Sequence, residues 1–413
     1  MFVAEKKDGT IINLFGEVWN RDDLLQERKA TVFYCPKCKE KVTLKLGNYQ
    51  AWHFAHLPHS QCSLASSGGE TKEHGMAKHM IFNWLSSHGY DPKLEFFIPE
   101  INQRADIFVR MNKEPFIFEI QRSTLSNEDY LRRRKGYEDL GYEQIWIGLT
   151  SQLRQQYYEF SSSQLNQILI RFKPNPVALY LDIEKQLWLQ LTDFFSLSPQ
   201  KTMAIPKTMS LSVPPVELLQ DDASFSPALS FYDDLCFSRW LSNTKKKRLR
   251  GYMRLSKTEW TLHNLFQQYH VNLNYFPALA CLPLRSNLYF QTHPQWWQSW
   301  IILTIINPSE LNTSVSLSTL TNKMFLQLKC MQYRPFPLHP KSMLRHALEE
   351  YFDILCKFHV LEKHFAGVYY IRNHININKQ LDTLCMDDVY VQKKIKEEWR
   401  ENYLGFRKVI KGV

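Results

Sequence analysis

The sequence has no hydrophobic run long enough to cross a bilayer. Its most lipid-like stretch, Trp296 to Ile306, is about half of the roughly 20 residues that a crossing helix needs. Met1 to Gly9 carries no apolar core of the kind a secretion signal uses. No internal repeat is present. Cysteine is scarce and unevenly spread: Cys35, Cys38 and Cys62 crowd near the start, while Cys236, Cys281, Cys330, Cys356 and Cys385 stand singly. In a chain this long that pattern argues against a disulfide framework. The expectation is a soluble protein of the reducing cytoplasm, without membrane insertion.

What the chain does contain excludes disorder. Of its 413 residues 44% are hydrophobic and 14% aromatic, enough for two or three domains with full cores. The 51 Lys and Arg against 41 Asp and Glu give a net charge of +10, which suits an anionic partner but equally a solvated basic surface.

Four regions follow from composition and periodicity. Residues 1–64 read as short strands and turns around the first cysteines. Residues 65–160 alternate helix and strand in an α/β pattern, with Ser66 to Gly69 as a hinge before it. Residues 161–227 read as a hairpin over Val177 to Leu191, followed by a Ser/Pro-rich linker or long loop from Thr192 to Pro227. Residues 228–413 are helix-rich and aromatic. There, a periodic helix over Lys341 to Lys357 and a hairpin over Val360 to Ile371 give the outline of a winged helix, one that many helical domains share. The tryptophans Trp296, Trp297 and Trp300 read as the core face of a helix rather than a base-stacking platform.

Cys35-Pro36-Lys37-Cys38 is a Cys-x2-Cys knuckle, whose two sulfurs grip one ion from a tight turn. A tetrahedral zinc site needs a second pair, and the candidates are His53, His56, His59 and Cys62. His56 and Cys62 are favoured, with His53 as the alternative. Four protein ligands leave no open position for water, so the expected role of Zn²⁺ is structural.

In the second region the spacing of Met76, Ala77, Met80, Ile81, Trp84 and Leu85 predicts a helix over Glu70 to Ser87. Strands are expected at Leu94–Ile98, Ala105–Val109, Phe116–Gln121 and Gln144–Leu149, with a helix from Ser126 to about Gly141. Alternation places Ala105, Ile107 and Val109 with Phe116, Phe118 and Ile120 in one apolar layer, and Asp106, Glu119 and Gln121 on the opposite face. Asp106 and Glu119 would then reach one Mg²⁺ or Mn²⁺ able to activate water against a phosphodiester. Glu73, on the extension of the helix's inward stripe, is expected as a third acid.

Glu73-His74 opening a helix, Arg104-Ala105-Asp106 and Glu119-Ile120-Gln121 resemble the core of the PD-(D/E)XK nuclease superfamily. With Cys35-Pro36-x-Cys38 and His53-Phe54-Ala55-His56, the order resembles the competence protein CoiA family of Gram-positive bacteria. The resemblance implies an α/β (α+β) restriction-endonuclease-like core behind a zinc-ribbon-like module. It further implies metal binding by Glu73, Asp106 and Glu119, and Gln121 where the superfamily usually has a catalytic Lys. Gln121 is neutral and lacks that charge. Lys78, one turn past Glu73, either supplies it or is a solvated surface lysine. The implied role is cytoplasmic action on incoming single-stranded DNA in natural transformation, as a metal-dependent deoxyribonuclease or as a DNA-binding adaptor working with the RecA recombinase and other competence proteins. Two basic runs are candidate phosphate contacts: Arg132, Arg133, Arg134 and Lys135, interleaved with acids, and Lys245, Lys246, Lys247, Arg248 and Arg250, which is free of them.

Overall fold

The computed structural model describes the chain except residues 15–18, 48–51, 59, 61, 63–70, 173–174, 220–228, 252–253, 330, 337, 378–379 and 411–413, and the side chains of 229–230, 258 and 400–410. The expected hinge at Ser66 to Gly69 lies outside the described residues. The chain forms two compact units. One holds Met1–Arg154, Ser163–Thr192 and Pro206–Asp222, and the other Gln155–Ser162, Asp193–Ile205 and Ala223–Val413.

The first unit begins with a small antiparallel sheet of β1 (Val3–Lys6), β2 (Ile11–Asn13), β3 (Phe33–Tyr34), β4 (Lys41–Lys45) and β5 (His53–His56), in the order β2-β1-β3-β4-β5. Helix α1 (Arg21–Ala30) interrupts it, closed at its start by a capping box between Asn20 and Asp23. Phe2, Phe33, Val42, Leu44 and Phe54 form a core of its own. Helix α2 (Lys72–Ser87) follows, its first turn capped by Thr71 Oγ1, which accepts the His74 amide at 3.3 Å.

The larger sheet of this unit runs β6 (Lys93–Ile98), β7 (Gln103–Met111), β8 (Glu114–Gln121), β9 (Glu143–Leu149) and the strand Pro176–Asp182. β6, β7 and β8 are antiparallel. β8 and β9 are parallel, and the crossover that parallel pairing requires is helix α3 (Asn127–Asp139). Ser126 Oγ caps α3 by accepting the Asp129 amide at 3.0 Å. One face of the sheet packs Ile107, Val109, Phe118 and Ile120 under Ala77, Ile81 and Trp84 of α2. The other packs Ala105, Phe108 and Ile117 under Tyr137 of α3.

Two expectations are corrected here. Thr192 to Pro227 is not a loop: the strands Leu187–Ser198 and Lys201–Ser210 and the short helix Pro215–Leu219 occupy most of it. Phe195, Leu197, Met203 and Ala204 bury from these strands into the core despite the Ser and Thr between them. Ala105 does not share a face with Ile107. Glu95, in the left-handed region at φ 50°, turns β6 over, so that Leu94 pairs Ile107 in one core while Phe96 pairs Ala105 in the other.

The second unit is mainly helical, with Leu229–Arg248, Lys257–Gln268, Pro294–Ile301 running on as a π-helical turn, Leu317–Gln327, Pro340–Lys357 and Leu381–Ile410. Trp296 and Trp297 are buried in it, as core residues. A three-stranded sheet has the order Ser314–Ser316, Val368–Ile371, Leu361–Phe365. Among the described residues no helix is long and apolar enough to cross a membrane.

Candidate functional site

Cys35 and Cys38 flank the tight turn between β3 and β4. The Lys39 amide closes it onto Cys35 O at 2.9 Å, and Lys39 itself adopts φ 58°. Alternation on β5 turns His56 to the same side as the buried Phe54, and Cys38 Sγ lies 3.4 Å from His56 Nε2. The donor atoms of Cys35, Cys38, His56 and Cys62 all lie within 4.8 Å of one another. Four ligands on one zinc stand about 4 Å apart when metal–sulfur bonds are about 2.3 Å, so this donor set fits a structural zinc ion. Burial, with smaller contributions from the neighbouring Cys62 and Cys35 thiols, pushes the Cys38 thiol up to about 12. A cation's charge is what would draw its proton off. His53 falls on the other side of β5 and outside this cluster, and His59 lies outside the described residues.

The acidic motif is arranged differently from the expectation. The inward stripe of α2 runs through His74, Lys78, Ile81 and Leu85, at spacings of four, three and four. Met76, expected in the stripe, is 41% exposed. Lys78 is not a solvated surface lysine, being 1% exposed, with Nζ 3.0 Å from Asp106 Oδ1 and 3.2 Å from Glu95 Oε1. Asp106 Oδ2 accepts the Ile120 amide at 2.9 Å and lies 3.4 Å from His74 Nε2. Burial alone would raise the Asp106 pKa, but the Lys78 ammonium and then His74 hold it well below the carboxylate range.

Glu95 is the acid that sequence reading missed. Its Oε2 accepts the backbone amides of Phe2 at 2.9 Å and Val3 at 3.3 Å, and stands 3.4 Å from Arg104 Nη1. The N-terminal strand thereby meets the same charge network as Asp106. Despite burial, Arg104 and Lys78 hold Glu95 below its usual range.

Glu119 follows Phe118, the last residue of β8 paired with β7 (opposite Ile107), and turns to α3. Its Oε1 accepts bonds from Arg133 Nη2, at 2.7 Å, and from the Tyr137 hydroxyl. It is 1% exposed, and burial pushes its carboxyl up to about 7 against the pull of Arg133. Glu73 does not join the pair. One position off the inward stripe, it is bound by Arg122 Nε at 2.9 Å and by the Ser151 hydroxyl. The Gln121 amide donates to Ser123 O, and Gln121 is buried.

These residues do not fit a hard divalent ion as they stand. Both oxygens of Asp106 are engaged, Glu119 is buried under a guanidinium, and Glu73 is paired elsewhere. Among the described residues, the Cys/His group is the only set of three or more His, Cys, Asp or Glu donors gathered closely enough to hold a metal.

The basic runs are also largely committed. Arg133 faces inward over Trp146, and Arg132 pairs with Asp129 at 2.7 Å, while Lys135 is exposed. Arg134 Nη1 reaches the Tyr130 hydroxyl at 3.5 Å. Arg248 is no phosphate contact: it is 1% exposed, with Nη2 2.7 Å from Asp388 Oδ1 and its guanidinium 3.9 Å from the Phe276 ring centre. Arg250 pairs with Glu259 at 2.7 Å, and burial lowers the Lys247 pKa. Lys245 and Lys246 are exposed.

Comparison with known proteins follows this anatomy. Family models described as competence protein CoiA match in succession: the N-terminal domain over residues 16–65, the nuclease-like domain over 70–222 and the C-terminal domain over 229–384. A relative from Bacillus subtilis (strain 168), named competence protein CoiA, is 23% identical over 351 residues, which cover 83% of this chain and 91% of that protein. No solved structure matches.

Proposed function

The chain belongs to the competence protein CoiA family, and from that premise we propose that it serves natural transformation as a DNA-binding adaptor. It engages incoming single-stranded DNA in the cytoplasm and promotes its RecA-dependent recombination, through a domain that keeps a nuclease fold without efficient hydrolysis. One observation carries this reading: every acid of the nuclease-like motif already has a cation of the chain's own, Lys78 on Asp106, Arg133 on Glu119 and Arg122 on Glu73. Charges neutralised in that way hold the domain together rather than waiting for a ligand. Gln121, with its amide bonded to Ser123 O, offers no cation to a developing phosphorane.

A metal-dependent deoxyribonuclease is the second reading. Glu119 favours it, because a carboxyl with a pKa about 7 near a buried lysine is the kind of group that catalytic sites use. A titration of fluorescent single-stranded DNA in Mg²⁺ or Mn²⁺, read for both binding and cutting, separates the two. Binding without cutting above the level of Asp106→Ala and Glu119→Ala is the expected result. Metal-dependent cutting that both substitutions abolish would overturn the adaptor reading in favour of the nuclease.

A further inference from the structure

The second unit holds a basic cleft that the sequence reading did not single out. Residues 311–348 contain five Lys or Arg and no Asp or Glu. Within this stretch the helices Leu317–Gln327 and Pro340–Lys357 enclose a cleft of about 310 Å³, lined by Ser318, Asn322, His339, Lys341, Ser342 and Arg345. Lys341 and Arg345 are exposed, and among the described residues neither has a carboxylate partner.

The surrounding layout is specific. The strand Ser314–Ser316 precedes the two helices, the hairpin Leu361–Ile371 follows them, and the first strand pairs antiparallel with the second hairpin strand. Strand, helix, helix and hairpin paired in this way is the order of a winged helix–turn–helix, in which the second helix lies in the major groove and the hairpin lies alongside. The hairpin turn also reaches the cleft. Leu317 N donates to Gly367 O at 2.8 Å, and a Cβ on Gly367 would stand 3.7 Å from Arg345 Nη2. Gly367 at φ 77° makes that close turn possible.

We infer that this cleft docks the phosphate backbone of duplex DNA, with Lys341 and Arg345 as phosphate contacts and the polar start of helix Pro340–Lys357 against the groove. Duplex rather than single strand follows from the surface itself. A helix and a hairpin turn present hydroxyl, amide and cationic groups there, and no Phe, Tyr or Trp lines the cleft to stack an unpaired base.

The test measures binding of the full chain to a fluorescent duplex of about 20 base pairs, and to one of its strands, across 50–200 mM salt. Replacing both Lys341→Gln and Arg345→Gln is expected to weaken duplex binding about tenfold or more and to lower the log–log salt slope by about 2, with single-strand affinity unchanged. Ser342→Glu, which puts a carboxylate into the cleft, is expected to weaken duplex binding as well, without removing a cation. Lys245→Gln with Lys246→Gln is the control and leaves the duplex slope in place. Unchanged duplex affinity and slope in the cleft variants would overturn the inference. So would an equal loss for duplex and single strand, which would make the cleft a general anion surface.

Discussion

Replacing Lys78 by Met tests the charge network most directly. The substitution keeps the unbranched stem and removes an ammonium that lies 3.0 Å from Asp106 and 3.2 Å from Glu95, on a side chain 2% exposed. At an effective dielectric of about 20, each contact contributes roughly 5 kcal/mol of attraction, against several kcal/mol for desolvating the ammonium. Both carboxylates keep other partners, Arg104 for Glu95 and the Ile120 amide for Asp106, so about 3–5 kcal/mol of lost stability is expected near pH 7. The sign of the pH effect follows. Asp106 and Glu95 are both depressed below their ordinary values, so their contribution is full above the unfolded carboxylate range and is lost as pH falls from there toward their lower folded values. Without Lys78 the depression shrinks, and the deficit of the variant is largest at pH 7–8, begins to narrow near pH 4 and narrows further below it. Hydrogen exchange of the amides in α2 and β6, compared between wild type, Lys78→Met and Lys78→Met with Glu95→Gln, reads the loss locally. The double variant should recover part of the protection, since it removes one of the two carboxylates left unpaired. Equal protection in wild type and Lys78→Met at pH 7 would refute the reasoning. A deficit that does not change between pH 4 and 8 would assign the loss to packing instead.

The other expectations are simpler to state. Purified protein is expected to hold one zinc that Cys35→Ser and Cys62→Ser lose and His53→Ala retains, as metal analysis would show. Glu119 is raised to about 7 from 4.5, so the folded state holds its proton more tightly than the unfolded state does. That contribution is full below about pH 4.5 and lost as pH rises through 7, about 3 kcal/mol in all, and denaturation of Glu119→Gln over the same range should lack that slope. Arg248→Met strands Asp388 in the interior of the helical unit and should cost it about 3–5 kcal/mol in thermal unfolding, while the salt slope of DNA binding stays the same.

The Cys/His cluster was legible because a knuckle and a four-residue strand leave few choices. His56 shares its parity with Phe54, and that alternation is enough to prefer it over His53. β7 and β8 were equally plain, but what decides the site is not in their pattern. Leu94-Glu95-Phe96 alternates like any strand, and nothing in it announces the left-handed turn at Glu95 that sends Ala105 to the opposite core. The inward stripe of α2 was misplaced by one residue. Counting Met76 in drew Glu73 toward the sheet, whereas the lysine among Ala77, Ile81 and Leu85 was the sign that the stripe carries a buried charge. The run Lys245 to Arg250 misled for a related reason. Trp240, Thr244 and Arg248 repeat at four-residue spacing and are buried together, so helix periodicity outweighs the local density of charge.

The net charge of +10 acquires a different meaning from this arrangement. At the end of the motif strand this chain has a neutral amide, Gln121. The buried cation of α2, Lys78, is bonded to a β6 carboxylate that the backbone of Phe2 and Val3 holds in place. Glu95, Asp106 and Glu119 are matched by Lys78, Arg104 and Arg133, so the nuclease-like site contributes almost nothing to the positive excess. Affinity for a polyanion grows with the number of counterions released, and a cation already paired with a buried carboxylate releases none. Within the two basic runs and the cleft, the charges that count are therefore those without carboxylate partners among the described residues: Lys135, Lys245, Lys246, Lys341 and Arg345. Three of these five are isolated or lie side by side on one turn, and only Lys341 and Arg345 line a cleft with hydroxyls beside them. If the excess charge serves duplex DNA, salt-dependent duplex binding should follow Lys341 and Arg345 and be indifferent to the three acids of the motif.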